Sequence, residues 1–270
     1  MSELEELVRE RIRREGPLPF REVMQAALYH PRLGYYTNLR GFGKDGDFIT
    51  SPERHPAFGY LLGRQALDVW QALDRPQPFR ILELGAGSGA LAEPLVSLVQ
   101  EVVPELVYTI DETSPSLRSV QQARLTGAAF RWDGTDEPAH FILANEVADA
   151  LPVDRVVVRD GRLHELRVGL DARAALTWVE HESAGAEILA YFDALHYLPP
   201  EGGVADVCTG LAGWVASLAR RLERGVALVR DYGASPPGDS LLTYYRHTMA
   251  SDPLVRLGQQ DISAHVDLRT

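Results

Sequence analysis

The chain has 270 residues, 45% of them hydrophobic and 24% charged, with a formal net charge of −11. That acidity excludes a protein whose main task is gripping phosphate backbones, so no nucleic-acid partner is expected. No stretch approaches the roughly 18 apolar residues that a membrane span needs, and a single cysteine, Cys208, excludes an internal disulfide framework or a cysteine-rich metal site.

The first residues, Ser2-Glu3-Leu4-Glu5-Glu6-Leu7, are acidic and lack the basic-then-apolar order of a secretory signal, so a cytoplasmic location is expected. Leu4, Leu7, Val8 and Ile12 fall on one face of a helix that Gly16-Pro17 stops. A second helical segment runs from Phe20 to Tyr29, before His30-Pro31. The glycine-studded stretch from Gly41 to Phe48 reads as a long irregular loop, and such loops are often functional. A third helix covers Pro56 to Leu73. Residues 1–75 are thus expected to form an N-terminal helical cap with its glycine-rich loop, ahead of a core over residues 76–270.

Phe79-Arg-Ile-Leu-Glu-Leu-Gly-Ala-Gly-Ser-Gly89 is the most informative segment. An apolar strand runs into Gly85, Ala86, Gly87 and Gly89, with a helical stretch following. Glycines at alternate positions let the backbone turn sharply and bring N–H groups against a ligand at the positive end of the next helix. The glycines alone also fit the relaxed dinucleotide fingerprint, so an NAD-binding oxidoreductase is a rival reading. Glu83 tips the balance. A pyrophosphate wants positive potential at this point, whereas a carboxylate suits a ligand carrying an ammonium group, as S-adenosylmethionine does.

Val107 to Ile110 reads as a second strand ending at Asp111-Glu112. A carboxylate there accepts bonds from ribose hydroxyls, a role we assign to Glu112 with Asp111 as competitor. Ser114-Pro115 opens the next helix as cap and first helical residue. Ala128 to Trp132 and His140 to Ala144 read as the third and fourth strands, and Asp133, just past Trp132, is a candidate for the adenine amino group. Alternating strands and helices imply a parallel sheet with both faces covered. Two β-rich runs flanking Asp160-Gly161 signal a hairpin within an insertion at about 153–205. A helix over Leu211 to Leu222 and a fifth strand over Gly225 to Gly233 complete the pattern.

Asn145-Glu146-Val147-Ala148-Asp149 stands at the end of the fourth strand, where an open parallel sheet places ligands. If a helical turn follows, Glu146 and Asp149 lie three residues apart on one face. Two carboxylates there would clamp a guanidinium in fork geometry and take its proton during methyl transfer. The eight histidines show no metal-ligand spacing with supporting carboxylates, so no metal is expected.

The chain resembles the MidA-like methyltransferases along nearly its whole length. The resemblance rests on Tyr29-His-Pro-Arg-Leu-Gly-Tyr-Tyr-Thr37, Gly46-Asp-Phe-Ile-Thr-Ser-Pro-Glu53 with Phe58-Gly59, and Glu83 to Gly89. It continues through Glu112-Thr-Ser-Pro115, Ala144-Asn-Glu146 with Asp149-Ala-Leu-Pro152, Asp231-Tyr-Gly233, Tyr245-Arg-His247 and Gln260 to Asp267. It implies a class I, Rossmann-like, doubly wound α/β fold that carries the cap and the inserted hairpin module, with S-adenosylmethionine as cofactor. It also implies a protein substrate, which for the family's mitochondrial member is an arginine of a respiratory complex I subunit. The Asp47–Glu53 loop, with Thr50 and Ser51, is implied to close the cofactor site, and Asn145 joins Glu146 and Asp149 as a catalytic candidate. Val147 and Ala148 stand where family members carry two phenylalanines. The rival from another class is an assembly or scaffold protein that binds the cofactor without turnover, and the assembly states left open include a homodimer.

Overall fold

The computed structural model describes residues 2–38, 51–250 and 252–267, with Ser51 by its backbone only. In chain order, α1 (Glu3–Glu15), β1 (Leu18–Pro19) and α2 (Phe20–Tyr29) come first, then α3 (Ser51–Arg54) and α4 (Ala57–Ala72). The central run is β2 (Phe79–Leu84), α5 (Ala92–Gln100), β3 (Leu106–Asp111), α6 (Pro115–Arg124), β4 (Phe130–Arg131) and β5 (Ala139–Asn145). A 3-10 turn over Ala148–Ala150 leads to β6 (Asp154–Arg159), β7 (Arg162–Leu170), β8 (Leu176–His181), α7 (Ala186–Leu195) and β9 (Val204–Val207). After α8 (Leu211–Arg221) and β10 (Leu222–Arg230) come the short strands β11 (Leu242–Tyr245), β12 (Thr248–Ala250) and β13 (Asp261–Ser263).

Two compact units emerge, and the chain passes between them more than once. One comprises residues 39–147 and 213–230; the other comprises residues 1–38, 148–212 and 231–270. The expected cap over residues 1–75 is therefore divided: α1 and α2 fall in the second unit, α3 and α4 in the first.

The first unit holds a parallel sheet in the order β10-β5-β2-β3-β4. Neighbouring residues of β2 serve opposite faces. Ile81 packs with Trp70, Leu95, Tyr108 and Phe141, while Leu82 packs with Ile142, Ala144 and Leu218. A strand covered on both faces needs a continuous apolar run rather than an alternating one, and Ile81-Leu82 supplies it. From β2 the chain steps outward to β3 and β4, then returns to the other side of β2 as β5. Strand order therefore reverses between β2 and β5, and an open sheet of this kind offers its ligand crevice at the carboxyl ends of those strands.

The second unit is antiparallel, with order β1-β7-β6-β9 and β8 also paired to β7. The expected hairpin is its β6–β7 pair, turning at Asp160 and Gly161 with φ of 49° and 68°. Val156, Val158, Leu163, Ile188, Phe192 and Val207 form its core. α1 begins with a capping box in which Ser2 and Glu5 exchange side-chain and backbone bonds, and it buries Leu4, Val8 and Ile12. The strands β12-β11-β13 form a separate small sheet.

Candidate functional site

The turn after β2 takes the shape expected of it. Gly85, Gly87 and Gly89 have φ of 59°, 55° and 82°, in the left-handed region that side chains rarely tolerate. A Cβ on Gly89 would meet Leu125 at 3.0 Å, and one on Gly85 would meet the Val147 side chain at 3.2 Å. The residue after Glu146 thus lies directly against the opening of the glycine turn. Ala86 is buried within it, and the Gly89 N–H closes it by donating to the Ala86 carbonyl at 2.8 Å.

Glu83 is 3% exposed and accepts a bond from the Tyr108 hydroxyl at 2.8 Å. Burial raises its carboxyl to about 7; the tyrosine bond opposes that rise and the nearby charge of Glu112 adds to it. Glu112 is also buried. One of its oxygens accepts from the Ser114 N–H at 2.9 Å and the other from Gln121 Nε2 at 2.9 Å. Its carboxyl too is raised by burial, against those two bonds. Gln121 Nε2 also donates to the Gly87 carbonyl at 2.9 Å, and its Oε1 accepts from Trp132 Nε1 at 3.0 Å. One glutamine thereby ties the acid at the end of β3 to the glycine turn.

Asp111, the competing acid, is held instead by Arg221 at 2.8 Å, whereas Glu112 is joined to the turn through Gln121. Asp133 is exposed, and its neighbour Trp132 is the residue joined to the Gln121 network. Thr50 and the Ser51 side chain lie outside the described residues. Glu53, from the same motif, accepts a bond from the Ser88 hydroxyl in the glycine turn. Arg124 donates to Ser88 at 3.1 Å and to Glu93 at 2.9 Å.

The expected helical turn carrying Glu146 and Asp149 on one face is corrected. Glu146 takes a left-handed φ of 54°, and the helical residues begin only at Ala148. The Asp231 carboxylate explains the start, because it accepts the N–H groups of Ala148 and Asp149 at 2.7 and 3.2 Å and so caps a tight 3-10 turn. Asn145 is the last residue of β5, and both Asn145 and Glu146 accept from Arg230.

Gln121 was missed by the sequence reading, although a signal existed. In α6 only Leu117 and Gln121 are buried, four residues apart, so the glutamine occupies an apolar slot on the inward face. Ser88 and Arg230 gave no such signal, since their partners lie 35 and 84 residues away.

A parallel doubly wound sheet, a left-handed glycine turn at its switch point and a buried acid at the end of the next strand define a nucleoside-binding enzyme of the class I methyltransferase kind. The chain belongs to the S-adenosyl-L-methionine-dependent methyltransferase family whose model matches residues 61–270. A protein from Burkholderia thailandensis solved with S-adenosyl-homocysteine bound is 32% identical, with a TM-score of 0.87 over 98% of this chain and 73% of that one. The mitochondrial protein arginine methyltransferase NDUFAF7 homolog of Drosophila melanogaster is 30% identical over 97% of this chain and 67% of its own length. The human protein arginine methyltransferase NDUFAF7, also mitochondrial, is 28% identical over 95% of this chain and 65% of its own. The cofactor is S-adenosylmethionine, and the dinucleotide rival falls away. The residues fit it: side chains at Gly85 and Gly89 would crowd Val147 and Leu125, and two buried carboxylates suit an ammonium and a ribose rather than a pyrophosphate.

The cytoplasmic expectation is overturned by the mitochondrial names of these relatives. An acidic first helix carries no information on the compartment.

Proposed function

We propose that this enzyme methylates an arginine of a protein substrate, in the setting of respiratory-complex assembly that the relatives' family implies. The observation that supports the reading is that Asn145 and Glu146, at the end of β5, already hold a guanidinium nitrogen of Arg230 at 3.2 and 2.6 Å, while the next residue, Val147, lies against Gly85 of the glycine turn. Glu83, Gly85, Ala86, Gly87, Gly89, Glu112 and Asp133 are assigned to the cofactor, with Thr50 and Ser51 from the preceding motif. Glu112 takes the ribose hydroxyls and Glu83 the ammonium end. Asn145 and Glu146 are assigned to the guanidinium; Asp149, expected to share that clamp from its spacing, is kept as a catalytic candidate without the helical placement.

The cofactor supplies an electrophilic methyl group on a sulfonium. An arginine stays protonated at neutral pH, so its nitrogen lone pairs are delocalised. Glu146 orients one nitrogen through a charge-assisted bond and accepts the surplus proton as the nitrogen–carbon bond forms and the sulfur–carbon bond breaks. Asn145 accepts a second N–H and limits rotation, so that positioning contributes much of the rate. The net charge of −11 favours a basic segment as substrate.

Mass spectrometry of a lysate incubated with a labelled methyl donor tests the reading. Label on arginine is expected from the wild type. Glu146→Gln is expected to lower the rate about 100-fold or more while cofactor affinity stays within about threefold. Unlabelled protein throughout, with cofactor binding intact, would instead establish the scaffold reading.

A further inference from the structure

At the end of β5 a guanidinium is already in place, and it belongs to the chain itself. Arg230 Nη1 lies 2.6 Å from Glu146 Oε1 and 3.2 Å from Asn145 Oδ1. The guanidinium carbon stands 5.3 Å from the centre of the Phe58 ring. A charged acceptor, an amide acceptor and a ring face are the three partners a guanidinium uses best. The backbone brings them together. Arg230 is the parallel-register partner of Asn145, and its carbonyl accepts the Glu146 N–H at 2.8 Å.

Two features separate the holder from the occupant. Glu146 is 12% exposed by side chain and sits in a left-handed backbone conformation that glutamate rarely adopts. Arg230 is 40% exposed, so the cation can swing into water while the carboxylate stays fixed.

We infer that Asn145, Glu146 and the Phe58 ring form a guanidinium cradle, and that Arg230 is its internal occupant, competing with the arginine of the substrate. The inference rests on the proposed role of Glu146 and adds Phe58 as a wall of the site and Arg230 as a determinant of specificity. A tethered occupant competes at an effective concentration on the order of millimolar. A free guanidinium therefore binds the wild type weakly. Only a substrate with further contacts displaces Arg230, and a lysine, whose compact and strongly hydrated ammonium has no flat face to set on the Phe58 ring, gains little from the vacated cradle.

The test is a titration of the full chain with N-ethylguanidinium, followed by amide NMR shifts and run alongside ethylammonium. Arg230→Ala is expected to bind the guanidinium at least fivefold more tightly than the wild type. Adding Glu146→Gln or Phe58→Leu should erase that gain, and ethylammonium should show none. Arg230→Gln, which keeps most of the side-chain length, serves if the alanine variant is poorly folded. Equal guanidinium affinity in wild type and both Arg230 variants overturns the inference, as does a gain that survives Glu146→Gln. Tighter guanidinium binding without any methyl transfer to arginine would refute the proposed activity and leave the cradle standing.

Discussion

Glu83 shows how one buried carboxyl links stability to pH. It titrates near 7 in the folded protein against an ordinary value of 4.5. As pH rises the unfolded chain loses this proton first, so the stabilisation is complete below 4.5 and is lost as pH climbs through about 7. Wild-type unfolding free energy should accordingly fall by something on the order of 1–3 kcal/mol between pH 5 and pH 8 through this group alone. Denaturant titrations at the two pH values would show it, because Glu83→Gln removes the titration and keeps an acceptor for the Tyr108 hydroxyl. An identical pH dependence in the two proteins would mean that other acids set the slope. Glu112 is raised by burial as well, although the bonds from Ser114 and Gln121 oppose the rise.

Among the elements, β10 is the one whose pairing rests on a single residue type at a single position. Between Leu222 paired with Ala139 and Val226 paired with Phe141 the register shifts, with three residues of β10 facing one of β5. Gly225 lies in that bulge, where a Cβ would collide with the His140 carbonyl oxygen. Backbone, not a flexible side chain, is the obstacle, so the strands must part to admit it. Gly225→Ala is expected to cost about 2–4 kcal/mol, read as a lowered thermal midpoint, with cofactor affinity falling as the Arg230 end of β10 loosens from Asn145 and Glu146. A midpoint unchanged within a degree or two would show that the bulge can move freely. α6 illustrates the opposite case. Ser114 caps it by accepting from the Leu117 N–H, Pro115 takes the first helical place, and both follow from local sequence.

The whole molecule is organised by return of the chain. The parallel sheet takes β2 to β5 from one stretch and β10 from another, after the chain has built most of the antiparallel unit. Leu82, Leu84, Ile142 and Ala144 share a cluster with Leu218, Trp214 and Leu222, which come from the later stretch. A fragment of residues 39–147 therefore keeps four of the five strands but leaves that face and the β5 edge bare. It is expected to be unfolded or aggregated, as checked by circular dichroism and gel filtration, because an exposed apolar edge strand pairs with other chains. A folded, monomeric fragment would show that β10 and α8 are dispensable. Such non-local pairing also predicts slow folding for a domain of this size.

The parallel core was legible in the sequence because its parts announce themselves locally: a two-sided apolar run in Phe79–Leu84, a glycine turn, and Ser114-Pro115 before a helix; Asp160-Gly161 announced the hairpin of the antiparallel unit in the same way. The family followed from the same residues and from motifs at fixed places around them. What the sequence alone left undecided were choices made by contacts distant along the chain. Asp111 and Glu112 are adjacent and chemically alike, and only the arrival of Arg221, 110 residues later, gives one a partner and leaves the other to Gln121 and the glycine turn. Local sequence at Glu146 suggests a helix start, whereas Asp231, far along the chain, caps a 3-10 turn that begins two residues further on. Local rules set periods and turns, whereas which of two equivalent acids pairs with an arginine is an outcome of packing, and packing is decided by residues that meet only when the chain has folded.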